Sequence, residues 1–331
     1  MKFLFALILS FLFTLYMIPI LKSLAFRFKI LDIPDGNIKT HKIATPYLGG
    51  VAIYFGFIAS LAIIFPFENK MFSFIIGSTL LLFIGLIDDL ITMKPYQKFF
   101  GQMIAAFCFL KAGFYLKQNF FFSNVWNIPI SFLWILTIIN AFNLVDVMDG
   151  LATILAGCAT ISFIIVALYL GNNVLAILLF AFLGALIGFF LYNKPDAKMY
   201  MGDAGALFIG GFLATVPFLF DWGTYNPYGY LTPIVILAIP LIEVATLVII
   251  RFYKGIPFYQ GSPDHFSIYL QKNGWSKSQI LLYSVFASLI LSIIAFLFFT
   301  KKLYFPGILI AGLIFLSIWI LVLLYKSTVV R

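Results

Sequence analysis

Two adjacent aspartates, Asp88 and Asp89, end an apolar run of the sequence. Neighbouring carboxylates repel each other, and their desolvation in apolar surroundings is costly. A divalent cation or a cationic substrate group would relieve both costs. Leucine and isoleucine flank the pair on both sides, so we interpret it as a functional site rather than as a solvated helix end.

A second polar segment contains Asn140, Asn143, Asp146 and Asp149 at intervals of three residues. Residues three apart lie on one face of a helix, so this spacing predicts a polar stripe on an otherwise apolar segment. Carboxylate and amide oxygens are hard ligands that suit Mg²⁺, which binds a few carboxylates together with waters and phosphates. Helix capping is the alternative, but it accounts for only one of the four residues.

A third acidic position, Asp203, opens a further apolar run. It is suited either to cap a helix or to face a metal-bound phosphate at the helix N-terminus, where backbone N–H groups attract anions. The candidate basic partners are Lys42, Lys98, Arg251 and His265. Carboxylates for a metal ion and basic side chains for phosphate oxygens are the groups that phosphoryl transfer requires.

Other interpretations stay open for some of these groups. A single basic residue beside an apolar run also suits contact with lipid head groups. Glu243 lies near the end of another apolar run. An ionisable group there is either a site residue or the partner in a structural hydrogen bond.

The composition indicates which elements must position these groups. Of the 331 residues, 63% are hydrophobic and 10% are charged, and the mean hydropathy is +1.09. A soluble enzyme, a disordered chain, a collagen and a secreted disulfide scaffold are excluded, because one water-soluble globule of this size cannot bury so much apolar surface. The chain is therefore predicted to be an all-α, polytopic integral membrane protein.

Apolar runs occur at 3–24, 48–66, 71–87, 99–116, 128–142, 151–170, 174–192, 204–220, 230–250, 279–299 and 304–325. A membrane span needs about 20 apolar residues, so these runs predict about 11 transmembrane helices. The spans leave no room for a large extramembrane domain, and we expect one membrane-embedded domain over 1–331.

The charged residues predict the orientation in the membrane. If the spans alternate, the segments 22–47, 88–98, 193–203 and 251–278 lie on one side together with the C-terminal tail, and they carry 15 of the 21 lysines and arginines. The positive-inside rule then places the N-terminus outside and the C-terminus in the cytoplasm. Ten of the twelve acidic residues and both histidines also fall on the cytoplasmic side. We attribute the net charge of +9 to cytoplasmic loops and expect no nucleic-acid partner.

Five motifs in order carry a resemblance to a known family. They are His-x-x-x-x-Pro-x-x-Gly-Gly at 41–50, Asp88-Asp89 followed by Lys98, Asn143-Leu-Val-Asp146-x-x-Asp149-Gly-Leu, Met-Gly-Asp203-Ala-Gly, and a last loop with Arg251 and His265. The chain resembles the polyprenyl-phosphate N-acetylhexosamine-1-phosphate transferases of glycosyltransferase family 4 over nearly its whole length. These are multi-pass enzymes of the bacterial cytoplasmic (inner) membrane that begin cell-wall, lipopolysaccharide and other envelope glycan pathways.

The resemblance implies roles for individual residues. Asp203 and Asp146 would be metal positions, and Asp88, Asp89 and Asp146 would be catalytic. The substrate-binding positions would be Lys42, Lys98, Asn143, Asp149, Arg251 and His265. The implied cofactor is Mg²⁺, with Mn²⁺ as the alternative, and the implied partners are a UDP-sugar and a polyprenyl phosphate; a homodimer is left open.

The chain departs from the family pattern at two positions. It has Val147 where the family usually has glycine, and Ala206 where the family often has serine. In the last loop it has Asp-His265-Phe-Ser, where the peptidoglycan branch has three consecutive histidines and the GlcNAc branch has His-x-His-His. We therefore expect a simple UDP-N-acetylhexosamine, UDP-GlcNAc, as donor, and phospho-MurNAc-pentapeptide transfer is the alternative within the family.

Two other classes fit the sequence less well. A cation-coupled transporter would place acidic groups near the bilayer midplane and contain inverted repeats, whereas these acids end the apolar runs and no repeat is evident. A CDP-alcohol phosphotransferase would carry a longer Asp-Gly-x-x-Ala-Arg signature, which is missing after Asp149.

Overall fold

The protein is a bundle of α-helices. A computed structural model describes residues 1–32, 44–64, 69–117, 124–257 and 259–324. The α-helices are α1 (Lys2–Arg27), α2 (Gly49–Ile64), α3 (Asn69–Ile91), α4 (Pro95–Lys111), α5 (Asn127–Val145), α6 (Leu151–Tyr169), α7 (Asn173–Asn193), α8 (Gly202–Thr215), α9 (Thr232–Ile236), α10 (Ala238–Lys254), α11 (Phe266–Lys272), α12 (Lys277–Phe299) and α13 (Phe305–Leu324). Two short antiparallel strands, β1 (Leu31–Asp32) and β2 (Thr45–Pro46), pair with each other.

Every predicted apolar run coincides with a helix or a helix pair. Eight helices within the described ranges are long and apolar enough to cross a membrane, and the bent pair α9–α10 brings the number to nine. The helices α2 and α4, with 16 and 17 residues, occupy the other two runs. The all-α, polytopic membrane class is confirmed, while the count of eleven spans and the orientation of the termini stay predictions.

The run at 230–250 is predicted as one span, and the structure bends it by 71° between α9 and α10. Pro240 lies in the first turn of α10. Proline has no backbone N–H to donate to the carbonyl oxygen of Ile236, and its ring clashes with that group in a continuous helix. The helix therefore breaks at Leu237, between the two segments.

The helices α1 and α7 approach closely because of two glycines spaced by four residues. A Cβ atom on Gly184 would lie 2.2 Å from the backbone oxygen of Leu7, and one on Gly188 would lie 3.0 Å from that of Phe11. Small residues at this spacing allow helix backbones to meet in lipid, where van der Waals packing drives helix association. This contact was not anticipated from the sequence.

The short helix α8 lies at the centre of the bundle, between α2, α3 and α5. Every residue of α8 from Ala204 to Thr215 is buried. The segment before it pairs with the start of α2: Gly49 and Gly50 donate to the carbonyl oxygens of Tyr200 and Met201 at 3.0 and 2.8 Å. The N-terminus of α8 is thereby held at the level where α2 begins and α3 ends.

Replacing Gly184 with alanine should destabilise the protein by about 1–3 kcal/mol, because the added methyl group meets backbone atoms that cannot move aside. Gly157 in α6 is the matched control, since nothing lies within 4 Å of a Cβ atom there. Gly157→Ala should leave the unfolding midpoint in detergent unchanged or raise it. Equal midpoints for the two variants would contradict the close packing of α1 on α7.

Candidate active site

Asp89 caps the N-terminus of α8. Its Oδ1 accepts a hydrogen bond from the backbone N–H of Asp203 at 2.8 Å, and its Oδ2 accepts one from Ala204 at 3.1 Å. The first N–H groups of a helix have no partner within the helix, so a carboxylate there satisfies them and interacts favourably with the helix dipole. Asp89 therefore fixes the end of α3 to the start of α8.

Lys98 contacts two further carboxylates of this region, those of Asp88 and Asp203. Its Nζ lies 2.9 Å from Asp88 Oδ2 and 2.5 Å from Asp203 Oδ2, and it donates to Asn143 Oδ1 at 3.3 Å. Asn143 in turn donates from Nδ2 to Asp203 Oδ1 at 2.6 Å. Four helices, α3, α4, α5 and α8, thus each contribute one polar side chain to a single cluster, which we call the α8 cluster: Asp88, Lys98, Asn143 and Asp203.

The predicted helical stripe does not extend through all four of its residues. The helix α5 ends at Val145, and Asp146 is its C-terminal cap residue. Asn140 donates to Gln102 Oε1 at 2.9 Å, a contact between α5 and α4. The stripe prediction was wrong beyond Asn143, because the chain leaves the helix to turn into α6.

Asp149 has its own counter-charge. Its Oδ2 lies 2.7 Å from Lys277 Nζ at the start of α12, and it accepts a longer hydrogen bond of 3.4 Å from the backbone of Ala197. Asp149 therefore ties the turn before α6 to two other segments. The structure brings it into the same region as the α8 cluster but engages its carboxylate elsewhere.

Asp146 lies in an electrostatically unfavourable position. Burial, and then the negative charges of Asp203, Asp89 and Asp149, raise its pKa from the ordinary value of 3.8 to about 8. A carboxyl group with such a pKa is largely protonated at neutral pH unless a cation approaches it. A cation bound beside Asp146 would favour the ionised carboxylate and lower this pKa.

Arg251 and His265 belong to a second polar group, around the connection between α10 and α11. His265 Nδ1 lies 2.9 Å from Glu243 Oε1, and Arg251 Nε donates to Ser262 Oγ at 3.1 Å. Lys254 and Asp264 form an ion pair of 2.6 Å beside them. Lys42, which the sequence also suggested as a basic partner, lies outside the described residues.

One residue that supports the site was not anticipated from the sequence. The buried Asn193 accepts hydrogen bonds from the backbone of Gly150 at 3.1 Å and from Thr153 Oγ1 at 3.0 Å, and it donates to the carbonyl oxygen of Met199 at 3.1 Å. It therefore holds the turn with Asp146 against the segment that leads into α8. The available signal was an amide side chain at the end of the apolar run 174–192, where an unpaired amide would be costly.

The carboxylate oxygens of Asp203 and of the neighbouring Asp146 are of the chemical type that binds a divalent cation such as Mg²⁺. In this structure the Asp88, Asn143 and Asp203 oxygens surround the Lys98 ammonium group, so this region already attracts positive charge. The described part of the chain contains no group of three or more His, Cys, Asp or Glu residues arranged as a metal cage. Mg²⁺ does not need such a cage, since it usually binds one or two carboxylates plus waters and substrate phosphates.

The raised pKa of Asp146 predicts a pH dependence of stability. Between the ordinary pKa of 3.8 and the folded-state value of about 8, the folded protein binds more protons than the unfolded chain. The free energy of unfolding should therefore fall as the pH rises through this window. Asp146→Asn removes the titrating group and therefore this pH-dependent loss of stability. In EDTA, the unfolding midpoint of Asp146→Asn should exceed that of the wild type, and the difference should be larger at pH 8 than at pH 5.

Asp221, an exposed aspartate whose Oδ1 accepts from the backbone of Gly223, provides the control for this measurement. Asp221→Asn should follow the wild-type pH dependence. A wild type and an Asp146→Asn variant with parallel pH profiles would contradict the electrostatic account of Asp146.

Comparison with known proteins identifies the family. The sequence profile of glycosyl transferase family 4 matches residues 71–220, which include the α8 cluster. A probable undecaprenyl-phosphate N-acetylglucosaminyl 1-phosphate transferase of Bacillus subtilis is 30% identical over 300 residues, 88% of this chain and 83% of the relative.

Phospho-N-acetylmuramoyl-pentapeptide-transferases are similar to a comparable degree. That of Listeria welshimeri is 31% identical over 306 residues, 80% of this chain and 87% of the relative. That of Staphylococcus carnosus is 32% identical over 246 residues, 65% of this chain and 75% of the relative. The expected resemblance is confirmed by these matches: the chain belongs to glycosyl transferase family 4.

Proposed function

We propose that the protein transfers GlcNAc-1-phosphate from UDP-GlcNAc to undecaprenyl phosphate or a related polyprenyl phosphate and releases UMP. The observation that carries this proposal is the α8 cluster, in which carboxylate, amide and ammonium groups from four helices converge. The Bacillus subtilis relative, whose name describes the same transfer, supports it.

The position of the cluster suits a reaction between a lipid and a water-soluble nucleotide. Asp88 lies in the last turn of α3, and Asp203 lies in the first turn of α8. Groups at helix ends face the membrane interface, where an acceptor confined to the bilayer meets a donor confined to the cytosol. A transporter would instead need such groups near the midplane of its spans.

The chemistry proposed is an in-line displacement at phosphorus. An oxygen of the lipid phosphate attacks the β-phosphorus of the UDP-sugar, the bond from that phosphorus to the bridging oxygen breaks, and UMP leaves with the electron pair. When bound at Asp203 and Asp146, Mg²⁺, or Mn²⁺ in its place, supplies positive charge that offsets the negative charge of the diphosphate.

The protein's own groups divide the remaining work. Lys98 lies among the acidic side chains and can turn its ammonium group towards diphosphate oxygens as they enter. Asp88, which accepts a backbone hydrogen bond from Met93 at 2.6 Å, is held as a carboxylate acceptor facing the same space. Asp89 keeps the start of α8 in place through its two backbone hydrogen bonds.

The pentapeptide-bearing donor is the second candidate, because relatives named for that activity are as similar to this chain as the first one. Against it, the connection from α10 to α11 spans only residues 255–265. Its conformation is also restrained by bonds from α10 to Ser262, Asp264 and His265. Such a loop offers little surface for recognising a peptide, so UMP release should occur with UDP-GlcNAc and not with UDP-MurNAc-pentapeptide.

Substitution of Asp203, the proposed metal ligand, should nearly abolish turnover. Asp203→Asn should lower kcat by more than about 100-fold with little change in the unfolding midpoint, because it removes a charge at the site and preserves the shape of the side chain. Excess EDTA should stop UMP release by the wild type, and added Mg²⁺ should restore it. Asp221→Asn is the control with unchanged kcat, and full activity in EDTA would contradict the proposal.

The proposed topology can be tested by thiol labelling in intact cells. Cysteines at the exposed positions Lys94 and Lys272 should be protected from an impermeant reagent, and one at the exposed Thr224 should react. The nearby Asn226 is unsuitable for labelling on the outer side, because it is only 4% exposed and donates to the carbonyl oxygen of Phe298. Labelling of Lys94→Cys but not of Thr224→Cys would show that the protein has the opposite orientation in the membrane.

A further inference from the structure

The buried pair of Glu243 and His265 is not used by the α8 cluster. Glu243 is 2% exposed and His265 is 5% exposed. The carboxylate lies 2.9 Å from His265 Nδ1 and also accepts the backbone N–H of Phe266 at 3.3 Å. A carboxylate removed from water in this way is costly unless its partners are well placed, so the pair demands an explanation beyond simple packing.

The two nitrogens of the imidazole differ in their surroundings. Nδ1 faces the carboxylate, which only accepts hydrogen bonds when ionised, so Nδ1 carries the proton in this contact. Nε2 makes no hydrogen bond within the part of the chain that the structure describes, and it is not an enclosed atom. The ring therefore has one nitrogen engaged by Glu243 and one nitrogen that is left available to a ligand by the described residues.

The neighbouring charged groups are engaged with other partners. Lys254 pairs with Asp264 at 2.6 Å, and Arg251 Nε donates to Ser262 Oγ. These contacts and the Glu243 pair together attach the loop at 255–265 to α10. Among the described residues, Glu243 is the one that hydrogen-bonds the imidazole itself, so we take the orientation of the ring to depend on this carboxylate.

We infer that Glu243 is a positioning residue that holds His265 in the Nδ1–H tautomer and presents the Nε2 lone pair to the nucleotide-sugar donor. This inference rests on the proposed function. In the neutral ring, Nε2 is a hydrogen-bond acceptor, so the group it recognises is a hydroxyl or N–H of the donor rather than a phosphate oxygen. The arrangement resembles the carboxylate partners that fix histidine rings at other sites.

The tautomer can be measured without any change to the pair. The chain contains two histidines, His41 and His265, so ¹⁵N-histidine labelling of a His41→Gln variant leaves one imidazole to observe. The ¹⁵N shifts of the neutral ring should show Nδ1 protonated and Nε2 unprotonated. The opposite tautomer would overturn the inference.

Kinetics provide the second test. Glu243→Gln should raise the KM for UDP-GlcNAc about tenfold and change kcat less than about threefold. The reason is that a misoriented His265 Nε2 would no longer accept its hydrogen bond from the donor, and a loss of this size corresponds to about one hydrogen bond. In the His265→Ala background the same Glu243→Gln change should have no further effect. If Glu243 had only a structural role, Glu243→Gln would impair kcat as well as KM, and it would do so in both backgrounds. Additive effects of the two substitutions on KM would therefore overturn the inference.

A side-chain mimic separates the two nitrogens. His265→Gln places an amide oxygen near the position of Nε2 and should keep part of the donor affinity, whereas His265→Asn places its amide near Nδ1 and should behave like His265→Ala. Asp221→Asn is the control, since this exposed carboxylate accepts from the backbone of Gly223 and lies outside the loop. Its KM should equal that of the wild type.

The outcomes distinguish this inference from the function on which it rests. If the wild type releases no UMP from any UDP-sugar, the proposed function fails, while the ¹⁵N spectrum still tests the tautomer. If the wild type turns over and His265→Ala has the wild-type KM, the role of His265 in binding the donor is overturned. If His265→Ala raises the KM and Glu243→Gln does not, the positioning role of Glu243 is overturned.

Discussion

The contact between Asp89 and the first N–H groups of α8 is the interaction on which the rest of the site depends. In an apolar medium a helix N-terminus needs acceptors that its own chain does not supply, and here α3 supplies both oxygens of one carboxylate. This places the second carboxylate of the pair, Asp88, one residue earlier on α3, beside Lys98. The two adjacent acids thus have different roles: Asp89 caps α8, whereas Asp88 pairs with Lys98 in the site.

Close packing of the backbones makes this contact possible. A Cβ atom on Gly85 of α3 would lie 2.3 Å from the backbone nitrogen of Ala204, and one on Gly50 of α2 would lie 2.1 Å from that of Gly205. Only glycine permits the two helices to approach the start of α8 so closely. The carboxylates therefore reach backbone and side-chain partners directly, and the site is fixed by the bundle rather than by loops.

The sequence predicted the helices far better than it predicted the contacts between them. Apolar runs identify spans because lipid requires about 20 apolar residues in each, and every predicted run forms helix. The local spacing rule that grouped Asn140 with Asp149 was wrong, since α5 ends at Val145. The cap of α8 by Asp89 and the support by Asn193 join residues far apart in the chain, and no local pattern encodes such pairings.

The charge balance of the site indicates where a ligand must supply positive charge. Lys98 offsets Asp88 and Asp203, Lys277 offsets Asp149, and backbone N–H groups satisfy Asp89. Within the described residues Asp146 has no ion-pair partner, and burial and its acidic neighbours raise its pKa to about 8. A site that pairs Asp88, Asp203 and Asp149 with lysines and leaves Asp146 without an ion pair among the described residues is suited to a cation that arrives with the substrate. The divalent cation that accompanies the diphosphate would then give Asp146 the counter-charge that the protein does not provide.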